Sequence, residues 1–210
     1  MKNLIIIGAG GMGREIYLLA LECNEFNKQF RIKGFIDDNI NSLDRFEKYP
    51  PILSKIDDYK ICDKDVFVCA LGDVRTERII INKILIKGGE FISLIHPTAR
   101  IAPDSQVGNG TIVMRRVDLG SNTKIGSYSF LQNDSIIGHD AVIGDFVRID
   151  CKVVCVGGVI VKDEATIHTS AVISHKVIVG KNAIVGALSL VIRNVKNNTT
   201  VVGNPAIRLI

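Results

Sequence analysis

From Ile101 to Val191 an aliphatic side chain, replaced once by Cys155, recurs on every sixth residue without a change of phase. The series runs Ile101, Val107, Val113, Leu119, Ile125, Leu131, Ile137, Ile143, Ile149, Cys155, Val161, Ile167, Ile173, Val179, Val185, Val191. Glycine follows the aliphatic at Gly108, Gly120, Gly126, Gly138, Gly144, Gly180 and Gly186. Four residues after it stands a small or β-branched residue, as at Ser105, Thr111, Ser129, Ala141, Ala165 and Ala183. Period six fits neither a helix nor an alternating strand; it is the hexapeptide pattern of a parallel β-helix. Three hexads make a coil of eighteen residues, so residues eighteen apart stack, with coils about 4.8 Å apart. The sixteen hexads predict a little over five coils around one aliphatic column. The glycines are expected at corners where the backbone bends tightly.

The first half follows a different rhythm. Leu4–Ile7 reads as a fully apolar strand and is followed at once by Gly8-Ala9-Gly10-Gly11-Met12-Gly13. Arg14 to Cys23 has helical spacing, with Ile16, Leu19, Ala20 and Cys23 on one face. Ile32 to Ile36 is a second strand ending in Asp37-Asp38, and Asn39 to Asp65 reads as loop, with Pro50-Pro51 and many charges. Val66 to Leu71 is a third strand, closed by Gly72-Asp73. A helix from Arg75 to Lys87 is stopped by Gly88-Gly89, and Phe91 to Ile95 is a last strand. Alternating strands and helices predict a small Rossmann-like parallel sheet over residues 1–95, with the β-helix over 96–210.

A GxGxxG placed between strand and helix lets the backbone approach a phosphate, which the free N–H groups of the helix start would bind. An acidic residue after the second strand, Asp37 or Asp38, is placed to accept ribose hydroxyls. The alternative is a glycine turn that only permits close packing, with aspartates on the surface. A dinucleotide fold needs two βαβαβ halves, and the segment before the repeats is too short for both. A mononucleotide or nucleotide-sugar is therefore expected, which argues against an NAD-dependent oxidoreductase.

Composition narrows the field further. The net charge of +4 comes from scattered Lys and Arg, so nucleic-acid binding is not expected. No apolar run is long enough to span a membrane. The chain opens on Met1-Lys2-Asn3 and a strand rather than on a signal peptide, so a cytoplasmic protein is expected. Cys23, Cys62, Cys69, Cys151 and Cys155 form no CxxC pair and are expected to be buried, reduced thiols with no metal.

Counting eighteen along the register places Gly157 one coil beyond His139, and Gly158 one coil beyond Asp140. A glycine pair beside a His–Asp pair leaves open backbone next to an imidazole. His139 is thus the candidate general base, able to take a proton from an attacking amine or hydroxyl near neutral pH. Asp140 could fix its tautomer, provided the chain turns locally, since neighbours in a strand face opposite ways. His175 shares the column about 10 Å away, too far for a shared metal. His96, before Pro97, is expected to be structural, His168 an exposed corner and His175 a surface residue.

The chain resembles, nearly end to end, the left-handed β-helix sugar acetyltransferases, including bacillosamine-pathway N-acetyltransferases and the sialic acid O-acetyltransferase type. The matching segments are IIIGAGGMGREI at 5–16, GFIDD at 34–38, ALGD at 70–73 and SLIHPTARIAPDSQVGNGTIV at 93–113. IIGHDAVIGDFV at 136–147, VGG at 156–158 and VVGNPAIR at 201–208 continue the match. The resemblance implies acetyl-CoA as donor and a homotrimer with active sites between neighbouring β-helices. It further implies a nucleotide-linked amino sugar, expected as a UDP-4-amino sugar of surface glycan or glycoprotein synthesis, as acceptor.

On that resemblance His139 is the catalytic histidine, Asp140 its acidic partner, and Gly157, with Gly158, meets the acetyl-CoA thioester. Gly8, Gly10, Gly11 and Gly72 approach the nucleotide-sugar, and Asp37 and Asp38 contact its ribose or base. Many members carry a second histidine nine residues after the first; here Arg148 stands there, a candidate phosphate contact. Arg193 and Arg208 are candidate partners of the coenzyme A phosphates. O-acetylation of a sugar hydroxyl remains the alternative, with a non-catalytic nucleotide-sugar-binding scaffold behind it.

Overall fold

A computed structural model describes residues 1–209. Its contacts divide the chain into two units that meet between Leu94 and Ile95. The first unit is a five-stranded parallel sheet of β1 (Lys2–Ile7), β2 (Phe30–Ile36), β3 (Ile52–Ser54), β4 (Asp65–Cys69) and β5 (Glu90–Phe91). Helices α1 (Gly11–Glu22) and α2 (Val74–Ile86) connect them. The spatial order is β3-β2-β1-β4-β5, so the strand order reverses between β1 and β4. Ligand crevices of open α/β sheets lie at this reversal, beyond the carboxyl ends of the strands. The loop carrying Gly8–Gly13 and the loop carrying Gly72 both sit there.

Leu4 to Ile7 and Val66 to Val68 are buried, which explains their unbroken apolar runs, since a parallel sheet is covered on both faces. Three expectations need correction. Residues 39–65 are not all loop, because Ile52–Ser54 follows the two prolines and pairs with β2 at the sheet edge. The expected strand Phe91–Ile95 is two strands: Glu90–Phe91 closes the first sheet, while Leu94–Ile95 opens a sheet of the second unit. Helix α1 starts at Gly11 rather than Arg14, because the glycine run itself makes the first turn.

The second unit is a parallel β-solenoid with three faces. All sixteen register residues end a two-residue strand, from Arg100–Ile101 to Leu190–Val191. Pairs such as Leu119↔Ile137↔Cys155↔Ile173↔Val191 confirm the eighteen-residue stack. Of these, Leu119 to Ile173 have no exposed surface. Inward hydroxyls complete the ladder: Ser129 Oγ donates to Gly144 O (2.9 Å) and accepts from Val147 N (3.0 Å). Beyond Val191 the coil shortens to sixteen residues, with Val185 pairing Val201.

The corner torsion is not where the glycines suggested. The left-handed residue falls three positions after the aliphatic, at Arg116, Asn122, Tyr128, Asp134, Asp140, Phe146 and onward at the same spacing. The glycine directly after the aliphatic answers to crowding instead. A Cβ on Gly120 would lie 2.8 Å from His139 N and 3.0 Å from Gly138 C of the next coil.

All five cysteines are free thiols. Cys62 is exposed and Cys151 half-buried rather than buried, because Cys62 lies in the segment before β4 and Cys151 stands two residues past the inward-facing Ile149. Among the described residues no helix is long and apolar enough to cross a membrane, and no group of three His, Cys, Asp or Glu could hold a metal ion.

Candidate active site

His139 stands at a solenoid corner between the strands Ile136–Ile137 and Val142–Ile143. Asp140, the next residue, has φ +58°. That left-handed turn supplies the local reversal that the pairing required, and Asp140 Oδ2 lies 2.7 Å from His139 Nδ1. Asn122, one coil back from Asp140, donates its Nδ2 to Asp140 Oδ1 at 2.8 Å. Both carboxylate oxygens are thus engaged. The hydrogen bonds from His139 and then Asn122 hold Asp140 below the ordinary carboxylate range. A carboxylate at Nδ1 puts the ring proton there and leaves the Nε2 lone pair outward.

Gly157 underlies the ring. A Cβ there would overlap His139 Nε2 and come within 2.6 Å of Cε1. The imidazole therefore occupies the space that any other side chain would take. Around the corner Gly158 N donates to His139 O (2.8 Å) and Lys176 N to Gly157 O (3.2 Å). The Gly157 N–H donates to no backbone acceptor among the described residues. An imidazole, a carboxylate bonded to it and a backbone amide with no backbone acceptor thus share one corner.

The remaining expected residues are placed as follows. Arg193 lies two coils beyond Gly157 in the same column. With Asn194, Lys196 and Arg208 it lines a cavity of about 330 Å³ at the end of the solenoid. Arg148 is on a different sheet from the strand that leads to His139. Its Nε donates to buried Asp150 at 2.7 Å, with the guanidinium 5.4 Å from the Phe130 ring centroid. His168 is not a bare corner: its Nδ1 is 2.9 Å from Asp150 Oδ2, one coil back. His96 is buried, and its Nδ1 accepts from Thr98 N at 3.0 Å. His175 is exposed.

In the first unit Gly8 has φ +95°, and a Cβ on Gly13 would lie 2.8 Å from Gly8 C. Torsion and helix–strand packing require those two glycines. At Gly10 the chain's own atoms leave open space, and at Gly11 only Arg14 Nη2 comes near, at 3.9 Å. Gly72 also faces open space across the strand-order reversal. Asp37 accepts from Ala9 N and Asn39 N, and Asp38 from Ile56 N. Asn122 escaped the sequence reading, although the eighteen-residue count that paired His139 with Gly157 also pairs it with Asp140.

Residues 3–84 match the family described as PglD N-terminal domain, and residues 90–179 match the GMPPB C-terminal domain. The chain is 30% identical to GDP-perosamine N-acetyltransferase from Escherichia coli O157:H7, over 96% of this chain and 93% of that protein. WeeI from Acinetobacter baumannii AYE is 29% identical and superimposes with a TM-score of 0.89 over 100% of both chains. PerB from Caulobacter crescentus, solved with CoA and GDP-perosamine, is 22% identical, shares the fold at TM-score 0.86, and is covered over 98% against 100% here. The chain belongs to the hexapeptide-repeat sugar acetyltransferases. It is an enzyme of acyl transfer.

Proposed function

We propose that this protein transfers the acetyl group of acetyl-CoA to the amino group of a nucleotide-linked amino sugar, with His139 as general base. The observation that carries this reading is the convergence of the His139–Asp140 pair with the open Gly157 amide, in a chain similar along its length to a GDP-perosamine N-acetyltransferase. The acceptor amine gives a proton to His139 Nε2 as its nitrogen attacks the thioester carbon. Asp140 stabilises the imidazolium that forms. The Gly157 N–H donates to the developing oxyanion. Collapse expels the thiolate of coenzyme A, which takes the proton back from the imidazolium, so base and acid are the same residue.

The nucleotide-sugar belongs to the first unit, with its phosphates over Gly10 and Gly11. The similarity to a GDP-sugar enzyme favours guanosine over the uridine expected from the family resemblance. The donor's phosphates belong near Arg193 and Arg208. Arg148, held by Asp150, serves better as part of the solenoid wall than as a phosphate contact within its own chain. The working assembly is a homotrimer whose sites lie between subunits. The reaction belongs in the cytoplasm, as a step toward surface glycans.

Coenzyme A release from purified protein with acetyl-CoA and a panel of GDP- and UDP-linked amino sugars tests the reading. Turnover with an amino sugar supports it. Turnover only with a hydroxyl acceptor, or none at all, defeats it.

A further inference from the structure

The acidic pair after β2 was expected to face the nucleotide, and the geometry gives its two members different work. The glycine loop is tied at both ends by backbone bonds: Gly8 N donates to Ile36 O (2.9 Å), and Arg14 N to Gly10 O (3.1 Å). Between them the Ala9 N–H makes no such bond among the described residues. Instead the Ala9 N–H donates to Asp37 Oδ2 at 2.6 Å, while Asp37 Oδ1 accepts from Asn39 N at 2.8 Å. Both oxygens of Asp37 are therefore taken by amides, on a side chain that is itself half-buried beside fully buried Ala9.

We propose that Asp37 is a positioning residue that latches the phosphate-binding loop, and that Asp38 alone contacts the ribose of the nucleotide. This rests on the nucleotide-sugar reading above. A short, charge-assisted bond to an amide is among the stronger ones available to a loop. A loop of glycines without it would sample many conformations, and the ordering cost would fall on substrate binding. With Ala9 N–H consumed, phosphate recognition passes to the helix-start amides at Gly10 and Gly11, where the chain leaves open space. Asp38 is exposed and uses only Oδ1, for a longer 3.1 Å bond from Ile56 N. Its second oxygen is available to ribose hydroxyls.

The test is a binding cycle with GDP and 2′,3′-dideoxy-GDP, followed by calorimetry on the full chain and its Asp37→Asn and Asp38→Asn variants. Wild type should bind GDP more tightly than the dideoxy form. Asp37→Asn should weaken both by about tenfold, the loss of one charge-assisted bond, and leave their ratio and the acetyl-CoA KM unchanged. Asp38→Asn should bring the ratio to one. Should Asp37→Asn fail to fold, Asp37→Glu, which keeps the charge but displaces the oxygens, must show the same equal weakening. Loss of the ratio in an Asp37 variant overturns the latch and makes Asp37 the ribose contact. Equal binding of the two nucleotides by wild type overturns the Asp38 assignment. Failure of wild type to bind GDP, UDP or any nucleotide sugar overturns the underlying reading instead.

Discussion

A single missing methyl group decides the geometry at His139. Because a Cβ on Gly157 would overlap the imidazole, Gly157→Ala must push the ring aside. A displacement of that size costs on the order of 10²-fold in rate. Steady-state kinetics should show that fall in kcat with the thermal midpoint little changed. His139→Ala should lower kcat by roughly 10²–10⁴-fold while calorimetry still detects acetyl-CoA binding. Asn122→Ala removes one of the two bonds on Asp140. It should cost about tenfold in kcat, one charge-assisted hydrogen bond, and a kcat unchanged within twofold would remove Asn122 from the site. At this scale the sequence showed identity and spacing but not torsion. Asp140 reaches its neighbour only because its φ is positive, and the glycine pattern pointed to a different position for that turn.

Within the elements, the solenoid and the sheet are held by different means. Ser129 sits between two coils, and replacing it with alanine strands Gly144 O and Val147 N. The expected loss is about 1–3 kcal/mol, read by urea denaturation. In the sheet the buried carboxylate of Asp65, at the start of β4, accepts from Cys62 N, Tyr59 Oη, Lys33 Nζ and Asn3 Nδ2. Burial alone would raise its pKa, but those donors outweigh it and hold the group below the ordinary carboxylate range. Burial conversely pushes Tyr59 up to about 12. A depressed folded-state pKa means that Asp65 stabilises fully above its unfolded value of about 3.9, and that this contribution is lost as pH falls through the lower folded value. Asp65→Asn should therefore cost about 3 kcal/mol at pH 7, and progressively less below about pH 4. A loss that stays constant across that range would contradict the pairing. None of this cluster was visible in the sequence, since Asn3, Lys33 and the stretch from Tyr59 to Asp65 are three separate segments that only the sheet brings together.

For the molecule as a whole, the faces that meet at the His139 corner are not water-seeking. Ile136, Val142 and Ile160 point outward from them and are 46%, 39% and 37% exposed in the single chain. Such rows mark an interaction surface, and the proposed trimer would cover them. Ile160→Glu should yield monomers by light scattering and lose turnover while keeping its circular dichroism. A fully active monomer would end the proposal of sites between subunits. Of the expected donor contacts, Arg193 and Arg208 share one cavity at the solenoid end, whereas Arg148 is turned to Asp150. Sequence offered no reason to separate them, because all three are arginines near plausible anion positions.

The sequence by itself determined the solenoid, its eighteen-residue stack, and the neighbours His139–Gly157 and Asp140–Gly158. A strict period makes remote residues adjacent by counting, so tertiary contacts there are local facts repeated. It also determined the order of the first unit's main elements, since buried parallel strands and glycine punctuation are written in consecutive residues. Only the tertiary structure decided which oxygen of which aspartate is occupied, and that Asp37 faces the glycine loop while Asp38 keeps a free edge. It alone decided that Asp140 turns back to its own neighbour. Those outcomes depend on torsions and on amides brought from distant segments, and neither leaves a mark in spacing or composition.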